Sequence, residues 1–214
     1  MEPEVPALPN LILSYRALLE AGLLEDGASL DWTSLGLKGT VGTKTGTGAN
    51  SKVKAKVVAK ADGVFVGAQL ASAAAIVSES IGLPFSATSL VSDGERVKAG
   101  MTLVEWIGNP EGILALERLY LTLSGYLSGI ATRTRRIVSA VEAEWTRAKA
   151  AGRPRRITAI RKILPHYRDV AIGAVMAGGG RSHRVNLSGG VLIKENHVAA
   201  AGGIRSAIES ARKT

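Results

Sequence analysis

The fold is decided by residues 156–197, RITAIRKILPHYRDVAIGAVMAGGGRSHRVNLSGGVLIKENH. Two short apolar runs, at 156–160 and 191–193, each end in cations, which are Arg161 and Lys162 after the first run and Lys194 after the second. A helix-like stretch and a glycine run separate the two. Strand, helix and strand with charged ends are typical of a parallel β/α barrel or an open α/β sheet, whose active face lies at the carboxyl ends of the strands.

The first half of the chain mixes short strands with helices. Residues 52–59 alternate apolar and mostly lysine side chains, which predicts a strand with one solvated face. Further strands are predicted at 64–67 and within 101–108, and helices over Leu11–Ala21 and Ala68–Ser80. This mixture indicates an α+β layer.

The second half begins with a helical pattern. One helix is predicted over 111–127, and the pair Ser128–Gly129 predicts an interruption before a second helix that runs to about Ala151. A last helix is predicted over Ile204–Arg212. The change of pattern places a domain boundary near Gly112.

Composition restricts the kind of partner. The chain has 27 Lys and Arg against 18 Asp and Glu, a net charge of +9 that suits anionic partners. Aromatic residues make up only 4% and are not interleaved with basic ones, which disfavours nucleic acid and favours small phosphorylated or carboxylated metabolites. The absence of cysteine excludes disulfides and thiol nucleophiles. The acidic, Pro-rich start is unlike a signal peptide and no apolar window could span a bilayer, so we expect a cytoplasmic protein with no membrane partner.

The glycine run 178–180 leads to His183 and Arg184. It lacks the spacing of a dinucleotide-binding loop, and neither Lys44 nor Lys52 follows the glycine that a phosphate loop requires. The histidines do not fall at metal-ligand spacing and no carboxylate pair stands out, so no metal site is predicted. Each cation alone is more often solvated or ion-paired than functional. Together they predict a cationic cup for a compact polyanion, with the glycines allowing a ligand to approach closely.

These strings resemble the quinolinate phosphoribosyltransferase family, also called nicotinate-nucleotide pyrophosphorylase (carboxylating), in order and spacing over nearly the whole chain. The strings that carry the resemblance are LERLYLTLSGYLSGIATRTRRIV, IRKILPHYR, AVMAGGG, SHRVNLS and VLIKENH. The resemblance implies an N-terminal α/β sandwich over residues 1–111, followed by an open, incomplete parallel β/α barrel over residues 112–214.

The resemblance also implies a glycosyltransferase of NAD biosynthesis. It would convert quinolinate and phosphoribosyl pyrophosphate into nicotinate mononucleotide, pyrophosphate and carbon dioxide. By position in the family motifs, Arg161, His183 and Arg184 would clamp the quinolinate carboxylates. Lys162 and Lys194 would be the catalytic lysines that serve the reacting carboxylate and the phosphate charges.

Further family properties concern the assembly and the metal. The resemblance implies a homodimer, or a higher homo-oligomer, in which Arg118 reaches into the partner's site. It also implies Mg²⁺, which accompanies phosphoribosyl pyrophosphate, although no protein ligand for the ion is identified in this chain. The chain stops at Thr214, before the strands that bring an acidic pair and glycine-rich phosphate turns in this family.

This sequence also departs from the family pattern. Three hydroxyl residues and a glycine are replaced by Ile160, Ile163, Leu164 and His166. Gly189 stands where an aspartate is usual. Two alternatives to the quinolinate enzyme therefore stay open. One is a paralogue that acts on another carboxylated base, and the other is a catalytically silent relative that binds an anion.

Overall fold

The computed structural model describes residues 8–28, 52–149, 151–152, 155–182, 187 and 190–213. Helices and strands are mixed within it, as the sequence predicts. The chain divides into two compact units, Met1–Ser182 and His183–Thr214. The domain boundary near Gly112 stays a prediction.

Several of the predicted helices lie close to their predicted positions. Both Ala68–Ser80 and the final helix are confirmed, the latter ending one residue early. No described helix combines the length and the hydrophobicity that a membrane crossing needs. The first unit contains, in chain order, α1 (Ile12–Glu25), β1 (Val53–Val58), β2 (Gly63–Val64), α2 (Ala68–Ser80), β3 (Phe85–Ser89), β4 (Arg96–Val97), β5 (Thr102–Gly108), α3 (Pro110–Arg147) and α4 (Arg168–Ala177), and the second contains α5 (Glu195–Ala200) and α6 (Ile204–Ala211).

The main sheet has three antiparallel strands in the order β1-β5-β3. The alternation predicted for β1 is confirmed. Its lysines are exposed, whereas Val53, Ala55 and Val57 are partly buried and pack against the core. Val58, the last residue of the strand, is exposed. On the solvated face, the carboxylate of Glu105 on β5 forms ion pairs with two lysines of β1. Its oxygens lie 2.8 Å from Lys54 Nζ and 3.7 Å from Lys56 Nζ. The lysines of these pairs are exposed while Glu105 is partly buried, and such pairs near the surface contribute little to stability.

One core joins the sheet to the helices of the first unit. Trp106 of β5 stacks on Phe85 of β3 at 4.9 Å between ring centroids and meets Tyr120 of α3 edge-on at 5.0 Å. Burial raises the pKa of Tyr120 well above its ordinary range. Its hydroxyl donates to the Gly67 carbonyl oxygen at 3.0 Å. The core also contains fully buried side chains from four helices, namely Tyr15, Leu19, Leu70, Val77, Leu116, Leu127 and Val170.

The helix interruption predicted at Ser128–Gly129 is wrong, because α3 runs without a break through 38 residues. The predicted strand at 64–67 is also mostly wrong, since only Val64 of this stretch lies in a strand. One set of contacts explains both differences. Ser124 Oγ donates to the Val66 carbonyl oxygen at 2.8 Å, and Ser128 Oγ accepts from the Val66 amide at 2.9 Å. The helix hydroxyls therefore satisfy backbone groups that a neighbouring strand would otherwise satisfy.

Asp93 caps helix α2 from a distant turn. Its carboxylate accepts from the amides of Gly67 at 2.6 Å, Ala68 at 2.8 Å and Gln69 at 3.3 Å. The first amides of a helix have no partner within the helix, and a carboxylate there also complements the helix dipole. This contact ties the turn at residues 92–94 to the start of α2.

Candidate functional site

A β-α-β unit holds the first candidate residues. Thr158 and Arg181 form a parallel bridge, in which the Ala159 amide donates to the Arg181 carbonyl and the Arg181 amide donates to the Ile157 carbonyl, both at 2.8 Å. Helix α4 connects the two segments. The strand predicted at 156–160 is thus reduced to a single parallel bridge, and its partner is Arg181 rather than the predicted strand at 191–193.

The glycine run 178–180 packs this unit against helix α3. A Cβ atom on Gly178 would lie 2.5 Å from the Ala131 carbonyl oxygen, and one on Gly180 would lie 2.6 Å from Val175 Cγ1. Gly179 has a φ of +90°, which is strained for any residue with a side chain. Close packing therefore accounts for Gly178 and Gly180, and the backbone conformation accounts for Gly179. The predicted role in ligand approach stays a prediction.

Arg161 and Lys162 follow the first bridged segment directly. The Arg161 side chain is half-buried, and its Nε is buried without a hydrogen-bond partner among the described residues. Lys162 is exposed. In a parallel unit, this carboxyl end is where the active face forms. Both cations thus follow the carboxyl end of the bridged segment, and their role in a site stays a prediction.

Lys194 lies in the second unit, at the N-cap of α5. Its side chain is exposed, and its amide donates to His197 Nδ1 at 3.0 Å. The strand predicted at 191–193 is wrong, because these residues adopt no regular structure. With no partner strand beside them in the second unit as described, an apolar run alone does not form a sheet.

Arg118 lies on the exposed side of α3. Two large apolar side chains flank it along the helix, Leu114 at 45% exposure and Leu121 at 44%. Composition favours a solvated arginine at this position. The contact with a partner subunit that the resemblance implies for Arg118 stays a prediction.

The remaining predicted residues, His183 and Arg184, lie outside the described residues. Within the described ranges, no carboxylate forms an ion pair with any of the other four predicted cations, which are Arg118, Arg161, Lys162 and Lys194. Arg161 and Lys162 are adjacent, while Lys194 belongs to the second unit. Their role in binding an anion stays a prediction.

Sequence reasoning missed two polar residues of the β-α-β unit. Arg168 Nε and Ser182 Oγ are buried and find no hydrogen-bond partner in the described part of the chain. One signal was present, because Arg168 is the first residue of α4, where the helix dipole disfavours a cation. Ser182 begins the string SHRVNLS, but no feature of that string marks its hydroxyl as a binding group.

Two family models match the chain consecutively. The model for the N-terminal domain of quinolinate phosphoribosyl transferase matches residues 31–128, and the model for its C-terminal domain matches residues 130–214. Together they cover most of the chain, and both describe one family.

Individual relatives agree with these matches. A probable nicotinate-nucleotide pyrophosphorylase [carboxylating] from Bacillus subtilis (strain 168) is 33% identical over 94% of this chain and 62% of its own length. The mitochondrial quinolinate phosphoribosyltransferase [decarboxylating] 2a from Nicotiana tabacum is 30% identical over 98% of this chain and 53% of its own. This chain therefore spans a little over half the length of these relatives.

Solved structures confirm the predicted fold class. The nicotinate-nucleotide pyrophosphorylase from Francisella tularensis superposes with a TM-score of 0.74 and 28% identity, over 98% of this chain and 66% of the other. NadC from Streptococcus pyogenes gives a TM-score of 0.70 and 29% identity, over 91% and 63%. The family resemblance predicted from the sequence motifs is thereby confirmed. The chain belongs to the quinolinate phosphoribosyltransferase family.

Proposed function

We propose that this protein transfers a phosphoribosyl group to quinolinate, with loss of carbon dioxide, to give nicotinate mononucleotide for NAD biosynthesis. The observation that supports this most is the pair Arg161–Lys162, which lies at the carboxyl end of a parallel unit with no ion-pair partner among the described residues. Quinolinate carries two adjacent carboxylates and its co-substrate carries three phosphate groups. A site for both must be strongly cationic.

The chain's own residues would bind and orient the two anions. The guanidinium of Arg161 can hold a carboxylate through two parallel hydrogen bonds. With the carboxylates fixed, the pyridine nitrogen faces the sugar carbon C1′, and such alignment lowers the barrier to reaction. The nitrogen–C1′ bond forms while the bond from C1′ to the pyrophosphate oxygen breaks. Lys162 and Lys194 would stabilise the negative charge that develops on the leaving group.

Decarboxylation follows from the product of that step. The ribosylated ring is a cation, so it accepts the electron pair left when the neighbouring carbon–carbon bond breaks and carbon dioxide leaves. The ring carbon then takes up a proton. Only the ionised carboxylate can release carbon dioxide. Lys162 or Lys194, placed beside this group, must therefore not donate a proton to it.

Mg²⁺ is proposed to enter with the diphosphate of the co-substrate. The described residues include no group of three or more His, Asp or Glu side chains that could hold a metal ion. Phosphates themselves are good ligands for this ion.

We further propose that the protein acts in the cytoplasm as a homodimer, with Arg118 directed to the partner's site. The support is the exposed cation flanked by Leu114 and Leu121, since apolar side chains around an arginine are common in subunit interfaces. Sedimentation of the protein tests this. A dimer that Leu121→Glu dissociates supports it, and a monomer at all concentrations contradicts it.

Turnover tests the main proposal. The protein is incubated with carboxyl-labelled quinolinate, phosphoribosyl pyrophosphate and Mg²⁺, and nicotinate mononucleotide and labelled carbon dioxide are measured. Lys162→Ala and Arg184→Ala should lower the rate by at least about 100-fold, the effect of removing one preorganised charge. The matched control Lys60→Ala, at an exposed turn, should not change it. Binding of quinolinate without turnover would indicate a silent relative, and turnover of a different base would indicate a paralogue.

A further inference from the structure

One end of the β-α-β unit concentrates buried donors that lack a partner. Within the described residues, Arg161 Nε, Arg168 Nε and Ser182 Oγ are buried and accept or donate no hydrogen bond. Leaving a buried donor unpaired is unfavourable, so native proteins seldom do so without a reason. A bound ligand that completes the hydrogen bonds is one such reason.

Topology brings these three residues to the same end. The segments around Thr158 and Arg181 are parallel, so both finish at one edge. Helix α4 connects them and must run in the opposite direction, so it begins where the first segment finishes. Arg161 follows the first segment, Arg168 is the first residue of α4, and Ser182 directly follows the bridged Arg181.

The charge at this end favours an anion. Helix α4 is ten residues long, and its N-cap residue Tyr167 makes no capping hydrogen bond through its side chain. The start of a helix carries a partial positive charge, which repels a cation such as Arg168. Asp169 is also in the first turn but is exposed. An oxyanion would relieve the repulsion and accept hydrogen bonds from the unpaired donors.

We propose that Arg168 and Ser182 are substrate-binding residues that hold an oxyanion together with Arg161. This inference rests on the proposed function, which supplies two sources of the same chemistry, a carboxylate of quinolinate and a phosphate of phosphoribosyl pyrophosphate. The guanidinium of Arg168 provides the charge, and the hydroxyl of Ser182 provides a shorter, neutral donor.

Calorimetric titration separates the two sources. Quinolinate and pyrophosphate are titrated separately into the parent protein and its variants. Both variants should weaken binding in one of the two titrations. Arg168→Met should weaken it by about 10- to 100-fold, because a charge-assisted hydrogen bond is lost. Ser182→Ala should weaken it by about 3- to 10-fold, because the lost hydrogen bond is neutral. Arg168→Lys keeps the charge but loses the planar fork, so it should fall between the parent and Arg168→Met. The control Arg147→Met, at an exposed ion pair on α3, should bind as the parent does.

Thermal unfolding distinguishes binding from a structural role. Because Arg168 Nε is unsatisfied, Arg168→Met should leave the melting temperature of the ligand-free protein unchanged or raise it. The rise in melting temperature that the ligand causes should shrink. A variant that melts earlier but binds both anions as the parent does would overturn the inference, as would unchanged affinity in both titrations. If the parent binds neither anion, the proposed function fails and this inference fails with it.

Discussion

Gly178→Ala should destabilise the protein through a clash between two helices. Gly178 ends α4 with an ordinary φ of −74°, so alanine meets no backbone strain there. Its Cβ, however, would lie 2.5 Å from the Ala131 carbonyl oxygen and 2.6 Å from Thr134 Cβ, both on α3. Ordinary carbon–oxygen contacts begin at about 3.3 Å, so the helices must separate by roughly 0.8 Å. Overpacking against backbone costs about 3 kcal/mol, at the upper end of the usual range.

Thermal unfolding measures this effect. In a domain of this size, a loss of about 3 kcal/mol lowers the melting temperature by about 6–12 °C. Gly125→Ala is the matched control. It lies in the middle of α3, where no atom is within 4 Å of the added Cβ. Alanine there should stabilise the protein by about 0.5–1 kcal/mol through helix propensity. If the two variants melt at the same temperature, the close packing of α3 on the glycine run is refuted.

Three further predictions concern the backbone and the core. His166 has a φ of +66°, so His166→Gly should raise the free energy of unfolding by about 0.5–1 kcal/mol, measured in urea, whereas a loss would contradict a strained turn. Asp93→Ala removes three hydrogen bonds to the start of α2 and should cost about 2 kcal/mol in the same assay, and an unchanged midpoint would refute the cap. Burial raises the pKa of Tyr120, so its unfolded state ionises first above its ordinary pKa of 10.0 and stability falls with pH there. Tyr120→Phe should make this alkaline loss shallower, and a slope equal to the parent's would contradict the prediction.

Local pattern predicted those elements whose partners are near in sequence or whose alternation is strong. The lysine alternation of β1 and the alanine-rich helix α2 are examples. It failed where distant groups decide the structure. Ser128–Gly129 breaks an isolated helix pattern, yet the Ser128 hydroxyl bonds to the backbone at Val66, and the helix continues.

The same limit applies to the candidate site. The position of Arg161 and Lys162 after a bridged segment could be predicted, because charged residues after an apolar run are typical of a strand end in a parallel fold. Their role in binding stays a prediction. The buried, unpartnered donors of Arg168 and Ser182 could not be predicted, since a buried donor without a partner is a property of the packed unit. The glycine run was noticed, but its contact with Ala131 on α3 depends on how two helices pack.

The structure of the protein in complex with quinolinate is the decisive test of the proposed site. We expect guanidinium nitrogens of Arg161 to lie within about 3.2 Å of a quinolinate carboxylate oxygen, with the amines of Lys162 and Lys194 facing the same ligand. Quinolinate bound elsewhere, or bound while these three side chains point into bulk solvent, would contradict it.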